Sequence, residues 1–177
     1  MASSLFIWEA GTIFVGSGGG DADKGLIVNN IKISDLDELT QDFHPGGSYG
    51  AIEIGGLGNK AFNLSFKVKG IDPQSMSQFG VNGVAQNFYS IYGGVRNKNG
   101  NIPVEYKAII QARMVKVGND EYKRGDLVGQ DFELKEVTHM EIYFNQAEKY
   151  FWDFFGRIWR VDGVNQNDMN AILRVAG

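Results

Sequence analysis

Acid–base chemistry near neutral pH falls most readily to histidine, and the chain has two, His44 and His139. His44 precedes Pro45, and His139 lies in an alternating segment on its polar side. Neither belongs to an H-x-H or H-E-x-x-H spacing, so a metal centre is not expected. Glu133, Glu136 and Glu141 with Asp131 form an acidic set on one segment. Paired carboxylates can hydrolyse glycosides, but acids alternating along a strand read as a solvated face. The glycine clusters lack the G-x-x-x-x-G-K-[ST] and G-x-G-x-x-G patterns that cradle phosphates. Cysteine is absent, which removes thiol nucleophiles, zinc ribbons and disulfides. No catalytic, cofactor-binding or metal-binding residue is expected, and the chain is not read as an enzyme.

The elements that would carry these residues are strands. In 62–69, Phe62, Leu64, Phe66 and Val68 alternate with Asn63, Ser65, Lys67 and Lys69. In 104–117, Val104, Tyr106, Ala108, Ile110, Ala112 and Met114 share one side. In 131–144, Phe132, Leu134, Met140, Ile142 and Phe144 do the same. A period of two with one apolar and one wetted face is the habit of antiparallel sheets. A strand of about 14 residues is about 46 Å long, well beyond the common length. Glu136 and Thr138 interrupt the apolar side of the last run, which predicts a bulge there. Turns are expected at Asn99–Gly100, Gly118–Asn119 and Asn145–Gln146. A short helix is expected after Asp72-Pro73, and another near the C-terminus, capped by Asn165, with Met169, Ile172 and Leu173 as its apolar stripe.

With 177 residues, 43% of them hydrophobic, one folded domain spanning 1–177 is expected, with a flexible glycine-rich loop at 16–25. The net charge of −4 argues against a dominant nucleic-acid-gripping surface. No apolar run reaches the roughly 20 residues of a membrane span, and the first residues lack the basic start of a secretion signal. Tyr150 to Trp159 is crowded with aromatic rings. A monomer has difficulty hiding so many beside long strands, so oligomerisation is expected to use part of them.

The order of several short motifs resembles the major tail tube protein of contractile-tailed phages, a family related to the tubes of R-type bacteriocins. The resemblance covers most of the chain from Leu26 onward. Gly46-Gly47 followed by Ala51-Ile52-Glu53-Ile54-Gly55 stands where the family carries a glycine pair and a short alternating segment. Ser48-Tyr49 occupies the place of its usual methionine. Gly70-Ile71-Asp72-Pro73 with Phe79-Gly80 is similar to its short-helix element. Gln111-Ala112-Arg113, Tyr122-Lys123-Arg124-Gly125-Asp126 and Val161-Asp162-Gly163-Val164-Asn165 resemble later family segments.

The resemblance implies a mainly β fold of two packed antiparallel sheets, sandwich- or barrel-like, with a flanking short helix and a short C-terminal helix. It implies homohexameric rings stacked into a tube inside a sheath, with baseplate and terminator partners and DNA passing transiently through the lumen. It places the protein in the virion tail, assembled in the host cytoplasm. Asp131, Glu133 and Glu141 are the candidate lumen residues. Six chains at −4 would carry −24 per ring, which would repel phosphates. Gly46, Gly47, Tyr49, Glu53, Trp8 and Trp152 are the candidate inter-ring or inter-subunit contacts. The tube of an R-type bacteriocin or a type VI-like secretion machine is the alternative, and a β-sandwich carbohydrate-binding module a more distant one.

Overall fold

A computed structural model describes residues 4–16, 23–80, 86–166 and 169–174. Eleven strands and two short helices follow in chain order among these residues: β1 Phe6–Val15, β2 Val28–Ile33, β3 Gln41–Phe43, β4 Ile52–Ile54, β5 Leu64–Lys69, α1 Pro73–Met76, β6 Asn87–Asn97, β7 Ile102–Asn119, β8 Gly129–Phe144, β9 Ala147–Asp153, β10 Ile158–Val161, β11 Val164–Asn165 and α2 Met169–Ile172. The strands form two antiparallel sheets of unequal size. One has nine strands; the other is the ribbon β3–β4.

The large sheet is forked. Its main path runs β1-β6-β7-β8-β9-β10-β11, and a branch leaves β8 through β5 to β2. The first part of β8, Gly129–Leu134, pairs with β5, and the last part, His139–Phe144, pairs with β9. Sixteen residues cannot serve both arms in one plane. The strand breaks between them, at the expected bulge. Gln111 faces His139 while Arg113 faces Lys135, so β8 carries two surplus residues there. Glu136 takes φ 52°, a left-handed conformation uncommon outside glycine. Because the surplus is even, Phe132 and Leu134 before it and Met140 and Ile142 after it all point into the core.

That core also holds Ile13 and Val15 of β1, the apolar side of β5, Tyr89 and Ile91 of β6, and Ala108, Ile110, Ala112 and Met114 of β7. Phe66 stacks on Phe132 with ring centroids 4.8 Å apart. Phe62 ties the arms of the fork together, edge-on to Trp152 at 5.0 Å and stacked on Trp159 at 6.3 Å. Each such ring pair contributes about 1 kcal/mol beyond its buried area. At the far edge Trp8 lies against Tyr106, at 4.8 Å, and over Gly93, where a Cβ would sit 2.6 Å from the indole.

Asn145–Gln146 makes the expected tight turn, both residues at positive φ. Asn99–Gly100 likewise lies in the expected turn, between β6 and β7, and the short helix follows Asp72-Pro73. Other details shift. Gly118–Asn119 lies within β7, paired with Asp131 and Gln130, and the chain turns later. Asn165 lies in β11 and pairs with Arg160 across a turn at Asp162–Gly163, whose φ values are 49° and 77°. Asp72 precedes α1 but caps none of its backbone N–H groups. Its carboxylate instead receives the Ser75 hydroxyl and the Lys24 ammonium, 3.0 Å away. Lys24 is 5% exposed and also donates to Gln74 at 2.7 Å. Residues 17–22 of the glycine-rich loop fall outside the described residues, but its exit is anchored by this buried ion pair.

Candidate lumen and assembly surfaces

The large sheet buries one face and leaves the other open. On the open face, cross-strand neighbours form rows. Tyr92, Lys107, Tyr143 and Glu148 make one; Ile109, Glu141, Phe151 and Arg160 make the next; Gln111, His139 and Asp153 make a third. Lys107 Nζ lies 5.8 Å and 5.7 Å from the rings of Tyr92 and Tyr143, placed for cation–π attraction. Arg160 grips Glu148 through two bonds of 3.0 and 2.8 Å and lies 3.8 Å over Phe151. His139 bridges two carboxylates, with Nε2 2.8 Å from Glu141 and Nδ1 3.1 Å from Asp153. Tyr143 donates its hydroxyl to Glu141 at 2.7 Å.

These contacts decide what the face can do. Tyr143 is pushed up to about 12, first by its bond to Glu141 and then by burial. The Asp153 carboxyl is held below its ordinary value, chiefly by the Gly156 N–H, with His139 adding to it against the cost of burial. Both ring nitrogens of His139 are occupied by carboxylates, so no hydroxyl is bonded to it as a nucleophile would be. Glu141, Glu148 and Asp153 each have a partner, which leaves a polar, aromatic, ion-paired surface.

Glu141 is therefore separated from the other two acids expected with it. Asp131 and Glu133 lie on the branch of the fork, in a trough of about 430 Å³ across β2, β5, β8 and β7. Lys67 reaches Asp120 at 2.9 Å and Asp131 at 3.4 Å, and Lys135 reaches Glu133 at 3.2 Å. Lys32 and Lys116 also line this trough, and neither forms an ion pair among the described residues.

The third surface is an arm. Between Ile33 and Phe62 the chain runs out along the β3–β4 ribbon and back, and residues 35–61 are exposed except for half-buried Pro45. Gly46, Gly47, Tyr49 and Glu53 are all on it, with Tyr49 wholly exposed near the tip. Gln41, Phe43, Ile52 and Ile54 share one face of the ribbon; Asp42 and Glu53 stand directly opposite each other on the other. Gly46 to Gly50 spells Gly-x-Ser-x-Gly, a serine-nucleophile pattern. That pattern works at a strand–helix turn beside a histidine. Here Ser48 sits on an exposed tip and its hydroxyl takes the Gly50 N–H at 3.2 Å.

Of the two tryptophans expected at contacts, Trp8 is 46% exposed on β1 and Trp152 is half-buried against Phe62. The side chains missed by sequence are Lys107, Tyr143, Asp153 and Arg160. Their signal was present in the polar phase of each alternating strand, but strand order is needed to bring them together. Among the described residues no group of three or more His, Asp and Glu side chains is arranged to hold a metal ion. Among them no helix is long and apolar enough to cross a membrane.

Comparison with known proteins gives one family match. The family model described as Phage tail tube protein FII matches residues 22–173. Among solved structures, the fold is similar to a chain of the sheath–tube complex of the extracellular contractile injection system PVC in its extended state. The TM-score is 0.53 at 13% identity, over 76% of this chain and 88% of that one. A chain from the PVC sheath/tube terminator gives 0.53 at 12% identity, covering 76% and 93%. A chain from the tube-terminating cap of the anti-feeding prophage gives 0.51 at 15%, covering 75% and 87%. No curated protein sequence matches the chain.

Proposed function

Because the chain belongs to the phage tail tube protein FII family and is a structural tail tube subunit, we propose that it assembles into homohexameric rings stacked as the inner tube of a contractile tail. The observation that carries this reading is how much bonding capacity one copy leaves unused. Among the described residues β1 has β6 as its only ladder partner and β2 has only β5, and the arm exposes Phe43, Ile52 and Ile54 by 51%, 60% and 42%. Open edges and exposed apolar surface are liabilities in a monomer and joints in a ring.

In this reading the whole of 1–177 is one tube domain, and it is not an enzyme. The open face with Glu141 lines the lumen and conducts DNA during ejection. Its acids are paired within the face, so a passing duplex meets little uncompensated charge and does not adhere. Asp131 and Glu133 lie on the trough, apart from that face. The arm, with Gly46, Gly47, Tyr49 and Glu53, bridges subunits or successive rings, and exposed Trp8 joins neighbours along β1. Trp152 contributes mainly through Phe62. The sheath surrounds the tube, with terminator and baseplate proteins at its ends. The particle is a virion tail assembled in the host cytoplasm.

Negative-stain microscopy of the purified protein tests this. Six-fold rings or hollow tubes are expected; dispersed monomers at high concentration would overturn it.

A further inference from the structure

The charge of this chain is not spread over its surface. The arm, residues 35–61, holds Asp35, Asp37, Glu38, Asp42 and Glu53 against Lys60, a net of −4. That equals the charge of the entire chain, so the remaining 16 basic and 16 acidic residues cancel. The body is formally neutral and the arm carries the whole imbalance.

Within the arm two carboxylates are placed unfavourably. Asp42 and Glu53 are direct cross-strand partners on one face of the ribbon. Like charges directly opposite each other on a strand pair destabilise it. Glu38 accepts the Gly56 N–H and Asp37 pairs with Lys60 at 2.6 Å, but neither Asp42 nor Glu53 has a basic partner among the described residues. Glu53 takes only the Thr40 hydroxyl. The arm of a lone subunit therefore holds an unrelieved repulsion at its centre.

The complement lies on the body of the same chain. Lys32, Ser65, Glu133 and Lys116 are consecutive partners in one row across β2, β5, β8 and β7. Three strand spacings separate the two lysines, about 14 Å between backbones. Lysine carries its charge on a long flexible stem, so the two ammonium groups can converge on a carboxylate pair laid between them. Glu133, in the middle of the row, is already neutralised by Lys135, and Asp131 in the adjacent row by Lys67. Lys67 is shared between Asp131 and Asp120, so the trough with its partners carries a small positive excess, and Lys32 and Lys116 are its two cations without an ion pair among the described residues.

We propose that the Asp42–Glu53 face of the arm docks in the Lys32–Lys116 trough of a second copy of this chain. This rests on the self-assembly argued above and names the surface that receives the arm. The match of charge favours a second copy over any unrelated partner: the same chain supplies a carboxylate pair without a basic partner on its arm and a lysine pair without an acidic partner on its body, at comparable reach. Docking relieves the repulsion, so the arm gains its preferred geometry as the subunits join.

Four proteins test it: the wild type, Asp42→Lys with Glu53→Lys, Lys32→Glu with Lys116→Glu, and the chain carrying all four changes. Tube formation is read by pelleting and negative-stain microscopy over a range of protein concentration. Each two-residue reversal is expected to raise the concentration needed for tubes at least about tenfold, because like charges across an interface are strongly unfavourable. The four-residue chain is expected to recover most of that loss. Should the reversed arm disturb folding, seen in the melting transition of the dilute monomer, Asp42→Asn with Glu53→Gln replaces it. That pair is expected to fold and to raise the required concentration while flattening its dependence on salt. Wild-type tubes together with unimpaired assembly of either reversal, or a four-residue chain no better than its parents, would overturn the docking and leave the tube reading intact. A wild-type chain that stays monomeric would overturn both.

Discussion

Asp72 shows how one residue can have the type the sequence favours and a different job. Asp before Pro at the start of a helix reads as a cap, yet its carboxylate is 7% exposed and bound to Lys24 and Ser75. Burial alone would raise its pKa, but the Ser75 hydroxyl and the Lys24 ammonium outweigh that and hold it below its ordinary value. A carboxylate with a depressed folded pKa contributes stability that is present above its unfolded pKa and is lost as pH falls through the folded one. Asp23 and Asp153 shift the same way. Melting temperature is therefore expected to hold from neutral pH to about pH 5 and to fall below about pH 4. Calorimetry across that range checks it. Asp72→Asn leaves Lys24 buried without its counter-ion and should cost about 3 kcal/mol or more in urea unfolding at pH 7. Replacing both partners, Lys24→Met with Asp72→Leu, should cost far less.

At the scale of elements, the strands were legible because their periodicity is local. Phe62 to Lys69, Val104 to Val117 and Asp131 to Phe144 alternate without help from tertiary contacts, and the break near Glu136 showed as two residues out of phase. The fork was not legible. Nothing in β8 says that its first part pairs with β5 and its last part with β9, because register between distant strands is a tertiary property. Gly118–Asn119 was misplaced for a related reason: Gly-Asn is compatible with a turn or with continued pairing, and long-range neighbours decide between them. The lumen and docking rows follow from strand order, so a list of polar residues could name Glu141 and Asp131 without separating them. The β1–β6 edge offers a test of packing at this scale. Gly93→Ala places a methyl against the Trp8 indole and should destabilise by about 1–3 kcal/mol. Adding Trp8→Ala should make the glycine replacement nearly harmless, since the obstacle is gone. A double-mutant cycle in denaturant reads the coupling.

For the whole molecule, the arm and the body obey different rules. The body has one shared core, and the arm contributes none of that core's buried residues. Excising 37–60 and closing the gap with a short glycine-rich turn should therefore leave the melting temperature of the dilute monomer within about 2 °C of wild type. The same protein should fail to pellet as tubes. A chain that lost both stability and assembly would show that the arm supports the fold as well as the contact. Composition could not reveal this division. A net charge of −4 is unremarkable for 177 residues until the structure shows that one exposed excursion holds all of it.

The break in β8 also limits how this chain can change over time. The inside and outside of a strand are a matter of odd and even counting. Two surplus residues between Leu134 and His139 leave the count intact, so both ends of β8 present the same parity to the core. Gaining or losing one codon there would turn Met140 and Ile142 outward and drive His139, Glu141 and Tyr143 into the apolar interior. Gaining or losing two would only lengthen or flatten the kink. Descendants of this gene should accept insertions and deletions at that point in pairs, and the length of the segment should drift in steps of two.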